Sequence, residues 1–312
     1  LNIFGEIQKG GVSRHETFAP RYGWLKKGYE AASIDGDIFN AQDAIERLGV
    51  GKNMVRSIRS WSLAFHLLEH HDLKRKGQGS LKPSDLGNKL LNNDGWDPYL
   101  EDLASLWLLH WQLFLPPIEM ASWPIAFNHC NLPSFDLKQL SRSLIAATHQ
   151  YNKLSSMSEG SFEKDASCII RMYASNDVSS SSEIDCPFTQ LGIIRPAEES
   201  NTFRFDMSNK QSLPSLIFAA ACFSYANYSQ AGQRTISLRK LVYEINSPGV
   251  VFKVSETEAG RLLDDAVRKM KNVDFVELMG SHQLQFEDSP DNLFSVALDR
   301  YYNKESHRGF NK

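Results

Sequence analysis

Three side chains suited to phosphate chemistry stand in a row near the start of the chain, Arg14, His15 and Glu16, with Arg21 close behind. Cleaving a phosphodiester requires positive charge on the phosphoryl oxygens, a proton carrier and, commonly, a divalent cation held by carboxylate. Arg14 and Arg21 fit the first role, His15 the second and Glu16 the third. A plainer reading exists. Ser13 and Glu16 have the S-x-x-E spacing of a capping box, which would make Glu16 a helix-start residue. Pro20 would then fall inside that helix and block it. A second parse puts Pro20 in the first helical turn, a short helix from Arg21 to Lys27, and Gly28 just past its end. That helix N-terminus, flanked by Arg14 and Arg21, would seat a phosphate.

A second group of candidates is cationic. From Arg47 to Leu68 there is no acidic residue, and Lys52, Arg56 and Arg59 fall at i, i+4 and i+7. At 100° per residue they share one helix face, with Val55, Ile58, Trp61, Ser62 and Phe65 roughly opposite. The helix follows a shorter one and the Gly-bounded turn "GVGK", which is the position of a recognition helix. Asn53 near its start suits a base edge and the cations suit phosphates. Lys26 and Lys27 join them as DNA-binding candidates. The competing reading is a solvated face on an ordinary amphipathic helix.

Other constellations are weaker. In "NDGWDPYLEDL", Asp97 reads as a helix cap and Glu101 and Asp102 as first-turn acids, which leaves Asp94 as the uncommitted carboxylate. His66 and His70, at i and i+4 on a continuous helix, lack further close zinc ligands. The D-x-K fragments Asp72-Leu73-Lys74 and Asp136-Leu137-Lys138 have no upstream partner.

These residues need elements to position them. The expected helices are Gln42–Leu48, Asn53–His70, Asp85–Leu91, Tyr99–Leu115 up to Pro116-Pro117, Lys138–Leu154, Ser212–Ala226, Ser237–Ile245 and one opened by the Ser255/Glu258 box. "SWPIAFNHCNLPSFD" reads as irregular, and Ser155–Asp185 as a Ser-rich linker or mobile loop. "VDFVELM" and "HQLQFED" alternate about Gly280-Ser281 as a β-hairpin. The expectation is a mainly α fold with small β-hairpins, as two winged-helix-like modules, residues 1–120 and 211–312, joined by a helical middle region, 121–210.

Totals bound the function. With 312 residues, 42% hydrophobic and 23% charged, the composition is that of a globular protein. A net charge of −3 excludes a globally basic nucleic-acid binder, so such binding must use a local patch. Cys130, Cys168, Cys186 and Cys222 are scattered without a CxxC pair, which points to buried thiols in a reducing cytosol. The apolar run "LASLWLLHWQLFLPPI" is too short for a bilayer, and no signal peptide is visible at the start, so the expected location is cytoplasmic with no membrane partner. In the helix after Ser255, Arg261, Arg268, Lys269 and Lys271 are offset by Glu256, Glu258, Asp264 and Asp265, the balance of a packing or protein-contact face.

The segments "RHETFAPRYGWLKKG", "RLGVGKNMVRSIRSW", "DGWDPYLEDLASLWLLHWQL" and "CPFTQLGII" together resemble, from about Phe4 to Tyr302, a bacterial domain family found beside DNA phosphorothioation genes, the SspB-type DNA-nicking components. The resemblance implies a protein that binds double-stranded DNA and cuts one strand for sulfur insertion. It implies as partners a cysteine desulfurase, an ATP-pyrophosphatase-type sulfurtransferase and an ATPase. A homodimer is compatible with it. The family lends no catalytic motif. For such a nickase the residues suggest Mg²⁺ on Glu16 and Asp94, His15 as base, and Arg14 or Arg21 stabilising the transition state. The alternatives are a non-catalytic winged-helix adaptor that recruits modification or restriction partners, and a scaffold whose basic helix meets an acidic protein.

Overall fold

A computed structural model of the protein describes residues 2–71, 79–151, 153–174 and 186–306. As expected, the chain is mainly helical, with small antiparallel sheets of two or three strands. It divides into one compact unit, Phe4–Phe205, and a second that joins Asn2 and Ile3 to the chain from Asp206 onward. Among the described residues no helix is long and apolar enough to cross a membrane. The four cysteines are buried without a disulfide, and burial pushes the Cys186 thiol up to about 12.

The chain opens with α1 (Ile3–Ile7), α2 (Trp24–Ile34), α3 (Ala44–Leu48) and α4 (Lys52–Ala64). Neither sequence parse of the first helix holds. Ser13 and Glu16 both have positive φ, so no capping box forms, and the helix begins at Trp24 after Gly23 at φ +74°. It runs through Gly28 rather than ending there. A Cβ on Gly28 would lie 2.7 Å from Ser62 Oγ and 2.8 Å from Ile58 Cγ2, so the glycine sits where α2 packs closely on α4. Trp24, Ile38, Phe39, Leu48, Val55 and Ile58 fill the core beside that crossing.

Gly49 at φ +63° turns α3 into α4. The α4 helix stops at Ala64 instead of continuing to His70. Leu67 donates its N–H back to Ser62 O, His66 takes φ +55°, and Ser84 Oγ donates to the His66 carbonyl. His66 and His70 therefore do not stand one helical turn apart. The antiparallel pair β1 (Leu68–His70) and β2 (Leu81–Pro83) follows. Leu81 N–H also donates to Gly36 O at 2.8 Å, laying the α2–α3 connection along the edge of β2.

Next come α5 (Asp85–Leu91), α6 (Leu103–Gln112), α7 (Ser122–His129), α8 (Leu137–Ala147), α9 (Glu159–Tyr173), and β3 (Ile194–Pro196) paired with β4 (Phe203–Phe205). Asp97 accepts the N–H groups of Glu101 and Asp102, and Asp102 caps α6. Asp136 of the second D-x-K fragment is likewise a cap, closing a capping box with Gln139. Two expectations fail here. The "SWPIAFNH" stretch is helical, with Pro124 tolerated in the first turn. Nearly half of the supposed linker is α9, which buries Phe162, Ala166, Ile169 and Tyr173. The polar centre of that linker, residues 175–185, lies outside the described residues, as does Asp72-Leu73-Lys74.

The second unit has α10 (Ser215–Ser229), β5 (Thr235–Ser237), α11 (Leu238–Tyr243), α12 (Pro248–Phe252), α13 (Glu256–Val267), β6 (Val273–Leu278), β7 (Ser281–Phe286) and α14 (Pro290–Ser306). Its antiparallel sheet has the order β5-β7-β6. Met279 and Gly280, both at positive φ, form the hairpin turn. Ser255 caps α13, and the pairs Arg261–Glu258, Arg268–Asp264 and Lys269–Asp265 balance its charges.

Two outcomes follow. Alanine at an exposed helical glycine normally stabilises, but Gly28→Ala should destabilise by about 1–3 kcal/mol, because its methyl group overpacks the α2–α4 crossing. A raised melting temperature would contradict that closeness. Burial lowers the pKa of His66 below 6.5, against an opposing hydrogen bond to Pro117 O. The unfolded chain then takes up a proton that the folded one resists, so His66 costs stability as pH falls below 6.5. His66→Asn, which tolerates positive φ, should melt with a shallower loss between about pH 7 and pH 5 than wild type; parallel curves would refute this.

Candidate nucleic-acid interface

The segment from Ser13 to Phe18 is held in a costly shape. Ser13, Glu16 and Thr17 have φ values of +58°, +50° and +67°, a region that disfavours residues with a Cβ by about 1 kcal/mol or more each. Such a loop persists only if its surroundings over-determine it. The main clamp is Asp165 of α9, 1% exposed. Its Oδ1 accepts the Ser13 N–H at 2.9 Å and lies 2.7 Å from His15 Nε2, and its Oδ2 accepts Ser122 Oγ at 2.5 Å. The His15 ring stacks on Trp61 and meets Trp123 edge-on. Trp61 Nε1 donates to Phe18 O at 3.0 Å, and Arg171 donates to Thr17 O.

His15 is therefore fully buried, at 0% exposure. Its neighbours go the other way. Arg14 and Glu16 line an open groove of about 640 Å³ together with Lys52, Arg56 and Arg59 of α4. Arg14 lies against Gly11, where any Cβ would overlap its side chain. Glu16 Oε1 is 3.6 Å from Arg56 Nη1, with the two side chains 33% and 55% exposed. Burial lowers the pKa of Arg59 from its ordinary value; the Glu119 carboxylate opposes that shift and the charge of Arg14 adds to it. Asn40 and Gln42, before α3, add amides to the lining.

The two sequence patches, some forty residues apart, thus converge on one groove. The remaining candidates do not line it. Arg21 is half-buried, with its guanidinium 5.7 Å from the Phe18 ring centroid and 5.5 Å from that of Trp24. Lys26 is buried and donates to Leu91 O and Asn93 Oδ1, both at 2.8 Å. Lys27 donates to Leu48 O, satisfying a carbonyl at the end of α3. Asn53 is exposed in the first turn of α4, and Asp94 is exposed after α5. Sequence reasoning missed Asp165 and Ser122. The aspartate lies 150 residues beyond His15, in a segment read as linker, so no local spacing could have linked them. Asn40 and Gln42 were missed as well; their place beside the turn into α3 was the available signal.

A hydrated Mg²⁺ is satisfied by one or two carboxylates plus phosphate oxygens. Glu16, the one carboxylate among the described groove residues, fits that need, whereas Asp94 is not beside it. No group of three or more His, Cys, Asp or Glu side chains able to hold a metal occurs among the described residues.

Comparison with known proteins adds a family. The model of a protein family of unknown function, DUF4007, matches residues 12–302. An SspB crystal structure is 34% identical, covering 95% of this chain and 90% of its own, with a TM-score of 0.85. A magnesium ion-bound SspB crystal structure gives the same identity and coverage with a TM-score of 0.87. No curated protein matches.

Asp165→Ala should test the clamp. It leaves three polar groups without their shared acceptor, and losing one side of a buried pair of this kind costs on the order of 3 kcal/mol. A melting temperature within a degree of wild type would show that the loop holds its shape without it.

Proposed function

The chain belongs to the DUF4007 family, and from that premise we propose that it is the double-stranded-DNA-binding component of a DNA phosphorothioation system, acting as a nicking endonuclease that opens one strand for sulfur insertion. The observation that carries this is the groove joining Arg14 and Glu16 to Lys52, Arg56 and Arg59. Four cations against one carboxylate suit a sugar–phosphate backbone. Element order supports a helix-turn-helix placement. In the first unit α2, α3 and α4 precede the β1–β2 hairpin, with the Gly36 connection on the outer edge. In the second, α10, α11 and α13 precede β6–β7, with β5 on that edge. Both orders support reading each unit as a winged-helix-like module.

In this reading Arg14, Lys52, Arg56 and Arg59 hold phosphates and Asn53 meets a base edge. Glu16 would hold Mg²⁺, and the ion would supply charge neutralisation there. His15 positions the loop through Asp165; Arg21, Lys26 and Lys27 brace the surrounding elements. By the resemblance, the partners are a cysteine desulfurase, an ATP-pyrophosphatase-type sulfurtransferase and an ATPase, in the cytoplasm. A non-catalytic DNA-binding adaptor is favoured by one observation, that His15 is buried on Asp165 instead of facing the groove.

Supercoiled plasmid with Mg²⁺ should become open circular, and chelator or Glu16→Gln should reduce that at least tenfold. Plasmid binding without cutting selects the adaptor. Lys52→Ala, Arg56→Ala and Arg59→Ala should each flatten the log–log salt dependence of binding by about one unit. A triple variant with unchanged affinity would sink the DNA reading.

A further inference from the structure

We infer that a second groove, meeting the first at Arg14, takes the phosphates of duplex DNA flanking the α3–α4 contact; this rests on the DNA-binding reading above. The groove has about 550 Å³ and is lined by Lys9, Gly10, Gly11, Arg14, Lys153 and Met157, among others, with no carboxylate among its described lining residues. Arg14 is a wall of both grooves. Its side chain lies over Gly11, whose lack of a Cβ leaves room for it at the junction.

The charges define the occupant. Lys9 is 60% exposed and pairs with Glu6 Oε1 at 2.7 Å, a contact that water screens and a phosphate readily replaces. Lys153 is exposed. Exposed ammonium groups with no buried donor beside them are a poor pocket for a single small anion. They suit a ligand that brings its own repeated charge, and duplex DNA carries a phosphate for roughly each 1.7 Å of its axis. Cationic lining is not general in this unit. The groove beside β3 and β4 is lined by Glu198 and Glu199 with Arg204.

Binding should be measured by fluorescence anisotropy across a salt series, with duplexes of about 10 and about 25 base pairs, one and more than two helical turns. The proteins are wild type, the double variant Lys9→Gln/Lys153→Gln, and Lys164→Gln, which removes an exposed charge on α9 away from both grooves. The expected result is a steeper salt slope on the longer duplex for wild type. The double variant should lose about two units of that slope and roughly tenfold in affinity, with little change on the shorter duplex. A double variant that matches Lys164→Gln on the longer duplex overturns the second groove. If Lys52→Ala still weakens both duplexes in that case, the first groove stands alone. Absence of duplex binding by wild type overturns both.

Discussion

Much of the candidate site depends on one buried carboxylate. Asp165 gathers the Ser13 N–H, the His15 ring and the Ser122 hydroxyl at a place with almost no water. A charge there is tolerable only because its acceptor sites are filled. The same bonds hold a loop whose backbone would relax elsewhere, with three residues at positive φ. The loop in turn decides where two solvent-facing side chains stand. His15 points in, and the residues on either side of it point out. The histidine acts as an anchor between α9 and the segment before α2, across 150 residues of chain.

The readable part of this arrangement was the part with a period. Lys52, Arg56 and Arg59 share a face because a helix repeats every 3.6 residues, and all three line one groove. The hairpin of the second unit was legible for the same reason, with period two. Helix ends were less legible. The apolar pattern of α4 continues past Ala64, and what stops it is a distant hydroxyl, Ser84, on the His66 carbonyl. The α9 helix was hidden by its polar, Ser-containing start, although its buried face repeats regularly. Lys26 and Lys27 were visible only as charges. Their use depends on carbonyls of Leu91 and Leu48, which the fold brings to them.

The two units distribute charge differently. On α13 each of Arg261, Arg268 and Lys269 has a carboxylate three or four residues away on its own helix. Those pairs are local and leave the helix surface close to electroneutral. On α4 the counter-charges come from outside the helix, Glu16 beside Arg56 and Glu119 near Arg59. The contrast gives the proposed DNA contact to the first unit and leaves the second with a face suited to proteins.

Glu16 also sets a condition on the proposed contact. In that reading a phosphate arriving at Arg56 meets a carboxylate already 3.6 Å from the guanidinium. The arginine would exchange one anionic neighbour for another, and the displaced acid would stand beside the phosphate unless a divalent cation lay between them. The groove would then respond to the kind of cation in solution as well as to its concentration.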